Sequence, residues 1–404
     1  MTAERIPPES VLIAFPEPVI QPIGEGRVLL RNPALQTEIE GSAETVDALR
    51  FFEKPKRLGE AVESGGITPA VLEQLMRAVL VIDVNVLFDH VPVSMGRPVI
   101  FSEFVMVRQA EPSVAILGAP VDIATTHDPG ARYGPAEVRQ AAARFLAEPG
   151  CTLDLDFRRS HERERAVVDL GNVRLVPGEG IATYGMRLTK LVETVLDTGA
   201  APIVIGGDHS ITAPLLRAFS RKYPALGVIH FDAHHDLYLN PIGPYELLTH
   251  GTPFRYALKE PISYLLQLGL RTFERVPGDA YIETEPRLSY FSSRELQRLA
   301  PDKVFERIPR DVPCYISFDV DCLTPEQAPE TGSPAPGGLT YYQALDLLDF
   351  VATNFNLVGA DFVEVSATDG RHYNSAAHIV ARYITHVILS SPAQQPLTGY
   401  YYNY

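Results

Sequence analysis

From residue 113 onward the chain repeats one pattern: a short run of consecutive apolar residues, a polar loop, and a segment with helical spacing. Runs that are apolar at every position, rather than at alternate positions, are typical of strands buried on both faces of a sheet. The predicted strands are residues 114–117, 166–170, 201–205, 226–230, 264–270, 288–291, 314–318 and 357–365. Residues 135–145 and 184–198 are predicted to be helices. Strands that alternate with helices predict an α/β fold with a central parallel sheet.

The beginning of the chain follows a different pattern. Residues 1–33 are rich in proline, glycine and charge, which predicts an arm or an irregular cover. Residues 42–60 and 68–82 have apolar side chains at helical spacing. We therefore predict an N-terminal extension, residues 1–110, with helical segments that pack on the main domain or on another subunit. The remaining residues, 111–404, form one catalytic domain in this interpretation.

Composition and charge narrow the class of protein. The chain has 404 residues, of which 46% are hydrophobic and 21% charged, as in ordinary soluble globular proteins. A formal net charge of −15 argues against nucleic acid and anionic membrane as partners, because both attract basic surfaces. The cysteines, Cys151, Cys314 and Cys322, form no CxxC pair, which favours the reducing cytoplasm over a disulfide framework. The first ten residues lack the apolar core of a signal peptide.

Six side chains of the kinds that bind metal ions lie in three short motifs at the ends of predicted strands. They are His209 in Gly-Gly-Asp-His-Ser, Asp232, His234 and Asp236 in Asp-Ala-His-His-Asp, and Asp319 and Asp321 in Asp-Val-Asp. Ligands collect at the carboxyl ends of parallel strands, which is where these motifs lie. Side chains at alternate positions of an extended chain point the same way, so the ligands of one motif can converge.

This cluster predicts two divalent cations and a hydrolase. Its four carboxylates balance the charge of two dications, and oxygen-rich ligands with imidazoles suit Mn²⁺ better than a thiolate-binding metal. Two such ions activate water at neutral pH. Taken singly, an Asp-x-Asp pair is more often a turn or a cap, and Gly-Asp-His a tight turn before a helix. The joint occurrence of the three motifs favours the metal site.

Two further residues fit a catalytic role beside the metals. His250 lies on a loop that follows Asp236, from which an imidazole can pass a proton to a leaving amine. Glu364 lies at the end of the last predicted strand, where a carboxylate is costly without a partner. A guanidinium group pairs with a carboxylate through two parallel hydrogen bonds. The alternatives are an exposed loop histidine and a structural ion pair.

These motifs, in this order, resemble the ureohydrolase family of arginases, agmatinases and related guanidino-compound hydrolases. The match covers about residues 113–391. It includes Pro-Gly-Ala-Arg-Tyr-Gly-Pro-Ala-Glu-Val-Arg from Pro129, Cys-Leu-Thr-Pro from Cys322 and Pro-Ala-Pro-Gly-Gly from Pro334. The resemblance implies a three-layer arginase-like fold and two Mn²⁺ ions per chain, with Ni²⁺ and Co²⁺ left open. It also implies a homo-oligomer, a trimer or a hexamer.

The resemblance also implies a role for each site residue. His209, Asp232, Asp236 and Asp319 would hold one metal, and His234, Asp232, Asp319 and Asp321 the other. Asp232 and Asp319 would then be bridging ligands. His250 matches the family's proton shuttle, and Glu364 matches its guanidinium-binding glutamate. In the resulting hypothesis Asp236 is both a ligand and a group that orients the attacking water.

The segment around His250 favours the agmatinase branch of the family. Glu-Leu-Leu-Thr precedes His250 where arginases have a Ser-Gly-Asn segment that helps to hold the substrate's α-carboxylate. Agmatine, giving urea and putrescine, is therefore the first predicted substrate, while guanidinobutyrate, other guanidino acids and guanidine stay open. His127, His235, Glu330 and the segment that follows Ala367 depart from the agmatinase pattern on loops expected near the substrate.

Two other interpretations stay open at this point. A zinc deacetylase of similar architecture would use one metal and generally a pair of adjacent histidines with a tyrosine, whereas six ligands indicate two metals. A catalytically silent relative would tend to lose ligands, and none of the six is missing here.

Overall fold

A computed structural model of the chain describes residues 11–14, 19–24, 26–32, 37–52, 56–59, 67–78, 80–83, 88–89, 114–145, 152–161, 167–176, 178–239, 241–242, 245–271, 284–367 and 373–390. The first ten residues, Cys151 and the predicted domain boundary at residues 110–111 lie outside this part of the chain. Among the helices that are described, none combines the length and the apolar character needed to cross a lipid bilayer.

The described residues of the N-terminal region form two small antiparallel sheets and two helices. The strands are β1 (Val11–Ala14), β2 (Val19–Gly24), β3 (Arg27–Asn32), β4 (Thr37–Gly41), β5 (Lys56–Arg57) and β6 (Val81–Asp83), and the helices are α1 (Ala43–Phe51) and α2 (Pro69–Arg77). The strand orders are β5-β1-β6 and β2-β3-β4. Leu30, Phe52 and Leu75 belong to a core that is separate from those of the main sheet.

The expectation of an irregular arm over residues 1–33 is wrong where the structure describes them, because β1, β2 and β3 lie there. The helices predicted over residues 42–60 and 68–82 are present but shorter. The first ends at Phe51, before β5, and the second ends at Arg77, before β6. β2 is exposed at every position, and β4 alternates between half-buried and exposed positions. Such strands lack the continuous apolar runs that mark the central strands.

The largest sheet has nine strands. The other described strands are β7 (Phe88–Asp89), β8 (Val114–Ala119), β9 (Thr152–Asp154), β10 (Arg159–His161), β11 (Val167–Val173), β12 (Ala201–Gly206), β13 (Gly227–Phe231), β14 (Pro241–Ile242), β15 (Tyr245–Glu246), β16 (Tyr264–Leu270), β17 (Leu288–Ser292), β18 (Pro313–Asp319) and β19 (Asn356–Val363). The large sheet has the order β17-β16-β13-β18-β19-β12-β8-β11-β7, in which only the two-residue β7 is antiparallel to its neighbour. The predicted central parallel sheet is confirmed.

Helices cover both faces of this sheet. They are α3 (Gly134–Phe145), α4 (Ile181–Asp197), α5 (Thr212–Lys222), α6 (Pro253–Ala257), α7 (Ser293–Leu296), α8 (Pro301–Val304), α9 (Tyr341–Asn354) and α10 (Ser375–Ser390). Successive strand residues point to opposite faces. Ile116 of β8 therefore packs in one core with Val138 of α3, whereas Leu117 packs in the other core with Leu188 of α4. The result is the predicted arrangement of three layers.

The sheet topology brings four strand ends together. The strands β13, β18, β19 and β12 are consecutive neighbours in the middle of the sheet, although they are far apart in sequence. The three predicted metal-binding motifs lie at the ends of β12, β13 and β18, and Glu364 directly follows β19. Because these strands are parallel, all four groups leave the same edge of the sheet.

Candidate metal centre and active site

Three of the predicted ligands surround an imidazole nitrogen of a fourth, His209. His209 Nδ1 lies 3.0 Å from Asp236 Oδ2 and 3.2 Å from both Asp232 Oδ2 and Asp319 Oδ2. All four side chains are buried, and among the described residues this nitrogen has no hydrogen-bond partner. A buried, unpaired nitrogen that faces three carboxylate oxygens is a donor set for a divalent cation. These residues therefore fit one metal ion.

A second donor set lies on the other side of Asp232. His234 Nδ1 is 3.1 Å from Asp321 Oδ2 and 3.4 Å from Asp232 Oδ1. The two oxygens of Asp232 thus face different imidazoles, as expected of a bridging carboxylate. Asp319 reaches the first set through Oδ2, while its Oδ1 accepts a hydrogen bond from the Asp321 backbone N–H at 2.9 Å. The fold brings all six predicted ligands together in two adjacent sets.

Burial and crowded negative charge raise the pKa of two carboxylates in these donor sets. Burial raises the pKa of Asp321 to about 6, and the charge of Asp232 acts in the same direction. Burial likewise raises the pKa of Asp319 well above its usual value, with the charges of Asp321 and Asp232 adding to the effect. Carboxylates this close repel one another, and cations between them relieve the repulsion. The electrostatics of the cluster therefore favour bound cations.

A chain of hydrogen bonds orients the ring of His209. Its Nε2 lies 3.0 Å from Ser317 Oγ, and the Ser317 hydroxyl donates to Asp361 Oδ1 at 2.7 Å. The hydroxyls of Tyr315 and Thr212 donate to the other oxygen of Asp361. Because Ser317 uses its proton on Asp361, it accepts from the Nε2–H of His209. This leaves Nδ1 unprotonated and aimed at the carboxylates, as a metal ligand requires.

Gly207 allows the turn that carries His209 to lie against a neighbouring loop. A Cβ at this position would lie 1.8 Å from the carbonyl oxygen of Val121, so only glycine fits. The Asp208 backbone N–H donates to the same carbonyl at 2.7 Å, and the Asp208 carboxylate accepts from the Ala124 N–H at 3.0 Å. The end of β12 is thereby tied to the loop that follows β8.

Backbone strain marks two residues of the site. Among the described residues, the non-glycine positions with positive φ are Arg158, Asp236 and Glu364, and the last two have φ values of 52° and 63°. Such a conformation costs of order 1–3 kcal/mol and is concentrated at functional sites. At Glu364 it takes the chain out of the extended conformation, so β19 ends at Val363, two residues before the predicted strand end.

Glu364 and His250 lie together beside the ligands. Glu364 Oε1 accepts a hydrogen bond from the His209 backbone N–H at 2.8 Å and lies 3.3 Å from His250 Nδ1. His250 Nε2 accepts from the backbone N–H of Thr126 at 3.1 Å. A backbone N–H can only donate, so the neutral ring of His250 carries its proton on Nδ1, toward Glu364. The alternative of an exposed loop histidine is wrong, because His250 is buried.

The environment of His250 also changes its pKa. Burial lowers the pKa of His250, but its hydrogen bond with Glu364 and the charge of that carboxylate outweigh burial and raise it. A raised pKa favours the protonated imidazole near neutral pH. The geometry and the electrostatics of this pair are therefore those of a proton donor held beside a carboxylate.

A pocket of about 410 Å³ opens beside the ligands and this pair. Its lining includes four of the predicted ligands together with His250 and Glu364. Thr126, His127, Tyr238, Leu239, Thr249, Gly251 and Ser333 complete the described lining. None of these lining residues is a lysine or an arginine. A small molecule in this pocket would contact the metal-ligand cluster and the Glu364–His250 pair at the same time.

Comparison with known proteins identifies the family. A profile of the arginase family matches residues 112–390, which is well over half of the chain. The chain belongs to the arginase family. The predicted ureohydrolase resemblance is thereby confirmed.

Relatives and solved structures agree with arginase-family membership. Guanidinopropionase from Pseudomonas aeruginosa is 36% identical over 263 residues, covering 63% of this chain and 79% of the relative. Agmatinase from Sodalis glossinidius is 34% identical over 255 residues, covering 62% of this chain and 78% of the relative. The solved structure of a hypothetical agmatinase from Burkholderia thailandensis is 30% identical, with a TM-score of 0.60 over 69% of this chain and 85% of that chain.

Membership of the arginase family establishes the class of reaction. Its members depend on a binuclear metal centre, and the relatives of this chain hydrolyse amidino carbon–nitrogen bonds. The chain is a hydrolase of this class, as its ligand motifs predicted. It also carries the candidate metal-binding residues that such a centre needs. These findings favour the ureohydrolase over the zinc deacetylase.

Sequence reasoning missed several residues of this arginase-family site. His230 Nε2 lies 2.8 Å from Asp232 Oδ2, although it was assigned only to a strand. Its distance of two residues from Asp232 repeats the spacing of the ligands, so a signal was present. Ser317, two residues before Asp319, carries the same signal. Gln267 carried no such signal in the sequence, because only the pairing of β16 with β13 brings it to the site.

The residues that depart from the agmatinase pattern occupy different environments. His127 lines the pocket, with its ring centroid 5.6 Å from that of His250. Glu330 is instead buried, and its carboxylate packs against the first turn of α10, where it accepts a hydrogen bond from the Ala376 N–H at 3.0 Å. His235 is buried, and its Nδ1 accepts from the Leu237 N–H. The segment after Ala367 lies outside the described residues.

Proposed function

We propose that this chain hydrolyses a guanidino compound to urea and an amine with the help of two Mn²⁺ ions, and that its first substrate is agmatine, which gives putrescine. One observation carries the proposal: a single pocket joins the carboxylate–imidazole cluster to the Glu364–His250 pair. A guanidinium ion stays protonated at neutral pH, so water attacks it poorly. Its hydrolysis therefore requires both an activated nucleophile and a group that holds the cation in place.

Glu364 is proposed to hold the guanidinium. Its Oε1 accepts from the His209 N–H, whereas among the described residues no hydrogen bond reaches its Oε2. No lysine or arginine of the described chain pairs with this carboxylate, which argues against a structural ion pair. His250 faces Oε1 alone, so a guanidinium would add a second partner at Oε2 through the paired hydrogen bonds that suit a carboxylate.

His250 is proposed to supply the proton of the leaving amine. Contacts with Thr126 and Glu364 hold its ring in a defined orientation at the pocket, and its pKa is raised. Positioned acids of this kind contribute about 10²- to 10⁴-fold to a rate. Asp236, in its strained backbone conformation, is proposed both as a ligand and as the acceptor that orients the attacking water.

The six clustered side chains are proposed to hold two Mn²⁺ ions, with Asp232 and Asp319 as bridging ligands. Oxygen-rich ligands with two imidazoles suit this metal, while Ni²⁺ and Co²⁺ remain alternatives within the same ligand set. When bound, a pair of such ions supplies a water nucleophile at neutral pH. Ser317 contributes by keeping His209 Nδ1 available to the first ion.

The pocket lining supports agmatine over guanidino acids. Because no lysine or arginine is present among the described lining residues, a substrate carboxylate would lack a strong partner there. A net charge of −15 also attracts a dication such as agmatine. A guanidino acid is the second candidate. Two observations favour it: the guanidinopropionase relative, and His127, which carries a positive charge when protonated.

Urea release distinguishes these substrates. Apo-protein reloaded with Mn²⁺ or Ni²⁺ is assayed with agmatine, arginine, guanidinopropionate, guanidinobutyrate and guanidine. We expect the highest kcat/KM with agmatine and Mn²⁺. A preference for guanidinopropionate or guanidinobutyrate would mean that the substrate is a guanidino acid and not agmatine. Release of urea from none of the five compounds would refute the proposal.

We further propose that the protein is a cytoplasmic homo-oligomer, a trimer or a hexamer. Two buried free thiols, Cys314 and Cys322, suit a reducing compartment. Val19 and Ile20 on β2 are 46% and 40% exposed, and such apolar side chains gain stability when another subunit covers them. Light scattering measures the molar mass in solution. A monomer at all protein concentrations would contradict the proposed homo-oligomer.

A further inference from the structure

Gln267 lies behind the metal-ligand cluster, on β16. It is fully buried and pairs in register with His230 on β13. Its side-chain Nε2 is 2.9 Å from His230 Nδ1 and 2.7 Å from the carbonyl oxygen of His235. His230 Nε2 is in turn 2.8 Å from Asp232 Oδ2. A buried hydrogen-bonded line therefore runs from Gln267 through His230 to Asp232.

The direction of each hydrogen bond in this line is determined. The carbonyl oxygen of His235 can only accept, so the Gln267 amide must turn its NH₂ group toward it. The same NH₂ group then donates to His230 Nδ1. The neutral ring of His230 consequently carries its proton on Nε2 and donates it to Asp232. Gln267 Oε1 is buried and has no hydrogen-bond partner within the described part of the chain, which is the cost of this orientation.

His230 is therefore a hydrogen-bond donor to a ligand rather than a ligand itself. Its Nε2 bears the proton, and only an unprotonated ring nitrogen binds a metal. The Phe254 ring packs against it, with 3.9 Å between ring centroids, and restricts its rotation. With the ring held in place, Gln267 on Nδ1 determines which ring nitrogen of His230 carries the proton.

We propose that Gln267 is a positioning residue for the metal centre and acts through His230 on the carboxylate of Asp232; the inference rests on the metal site proposed above. Asp232 Oδ2 also faces His209 Nδ1, at 3.2 Å. The N–H of His230 occupies one lone pair of this oxygen and leaves the other for the first donor set. Without the Gln267 donor, the ring is free to adopt the other tautomer, whose bare Nε2 repels Asp232 Oδ2.

Gln267→Leu removes the amide with little change in side-chain volume. We expect one of the two Mn²⁺ ions to bind about 10- to 100-fold more weakly, which is the usual effect of losing an outer partner of a metal ligand. The measurement is Mn²⁺ binding to apo-protein at graded concentrations, by equilibrium dialysis and elemental analysis. Wild-type affinity for both ions in Gln267→Leu would overturn the inference.

Gln343→Leu is the matched control for a lost glutamine hydrogen bond. Gln343 Oε1 accepts from the Thr340 N–H at 2.9 Å in the capping box of α9, away from the line described above. This variant should lower the thermal midpoint while binding both ions as the wild type does. If its Mn²⁺ affinity fell as far as that of Gln267→Leu, the effect would be general destabilisation and the inference would fail.

A double-mutant cycle tests the path through His230. We expect His230→Phe to weaken the same ion and Gln267→Leu to add nothing in that background, because residues that act in series are non-additive. Additive losses would show that Gln267 does not act through His230.

The tautomer of His230 can be observed in the wild-type apo-protein, whether or not the variants fold. Two-bond ¹H–¹⁵N correlations of the imidazole should show a protonated Nε2 and a bare Nδ1. A protonated Nδ1 would overturn the inference. A wild-type protein that binds no divalent ion would refute the proposed metal site as well, which separates that failure from a change confined to Gln267→Leu.

Discussion

Asp232 is the residue of the site that contacts both predicted donor sets. Its carboxylate is buried, and its oxygens face His209 on one side and His234 on the other. Oδ1 also accepts the His234 backbone N–H at 2.6 Å. One side chain thus supplies negative charge to both donor sets.

We expect Asp232→Asn to remove metal and activity together, because an amide gives no charge to either donor set. The loss of Mn²⁺ affinity should exceed the roughly 100-fold upper range for an outer partner. Elemental analysis of the dialysed protein and urea release measure the two effects. Full activity in this variant would exclude a bridging role for Asp232.

A substitution of His250 should lower the turnover number without lowering the metal content. His250→Asn removes the imidazole that faces Glu364, so kcat should fall by about 10²- to 10⁴-fold while the content of Mn²⁺ stays at the wild-type value. Steady-state kinetics and elemental analysis test this separation. If metal is lost instead, the histidine is a ligand and not the proton donor.

At the scale of elements, the site depends on how the strand ends are held. The turn after β12 carries His209 and approaches the loop after β8 so closely that the Asp208 N–H donates to Val121. The Glu364 backbone N–H donates to the Gly207 carbonyl at 2.9 Å and thereby links β19 to the same turn. A change in this turn should therefore move His209 and Glu364 together.

Gly207→Ala should disrupt this turn, because its Cβ would overlap the Val121 carbonyl oxygen. We expect the free energy of unfolding to fall by about 1–3 kcal/mol, with a parallel loss of Mn²⁺. Gly180→Ala is the control, since no atom lies within 4 Å of a Cβ there and its φ of −89° suits alanine. Equal stability of the two variants would contradict the close approach. Denaturant titration measures both.

At the scale of the whole molecule, a cluster of charged side chains joins the β9–β10 hairpin to α9 and α10. His386 Nδ1 lies 3.1 Å from Asp154 Oδ2, and its Nε2 lies 3.0 Å from Asp349 Oδ1. Arg382 lies 2.9 Å from Asp154 Oδ2, and Arg159 pairs with Asp349. Burial raises the pKa of Asp154, but the charge of Arg382 and the hydrogen bond with His386 outweigh burial and lower it.

This lowered pKa predicts how stability depends on pH. An aspartate of the unfolded chain titrates near about pH 3.9, so the stabilisation by Asp154 is complete above that value and is lost as pH falls through the lower folded pKa. Asp154→Asn should cost about 1.5–3 kcal/mol near neutral pH, because it removes a charged hydrogen-bond acceptor from Arg382 and His386. These two side chains keep Asp156 and Asp349 as partners. The difference from wild type should shrink as the solution is acidified. Denaturation at a series of pH values tests this, and a difference that grows in acid would contradict it.

The strands and the carboxylate–imidazole motifs could be predicted because both follow from local geometry. Consecutive apolar residues such as those of β13 and β18 indicate strands buried on both faces, wherever those strands lie in the sheet. The spacing of two in Asp232, His234 and Asp236 places side chains on one side of an extended chain without any knowledge of its neighbours. The motifs and the class of reaction were therefore accessible from the sequence.

The sequence by itself determined the central strands and the three carboxylate–imidazole motifs, because each depends on residues only a few positions apart. The hydrolase class followed from the occurrence of all three motifs in one chain. Only the tertiary structure decided that β13, β18, β19 and β12 lie side by side, that Glu364 leaves its strand in a left-handed conformation, and that Gln267 stands behind His230. Those contacts join residues far apart along the chain. They arise from the order and register of strands in the sheet, which no local spacing encodes.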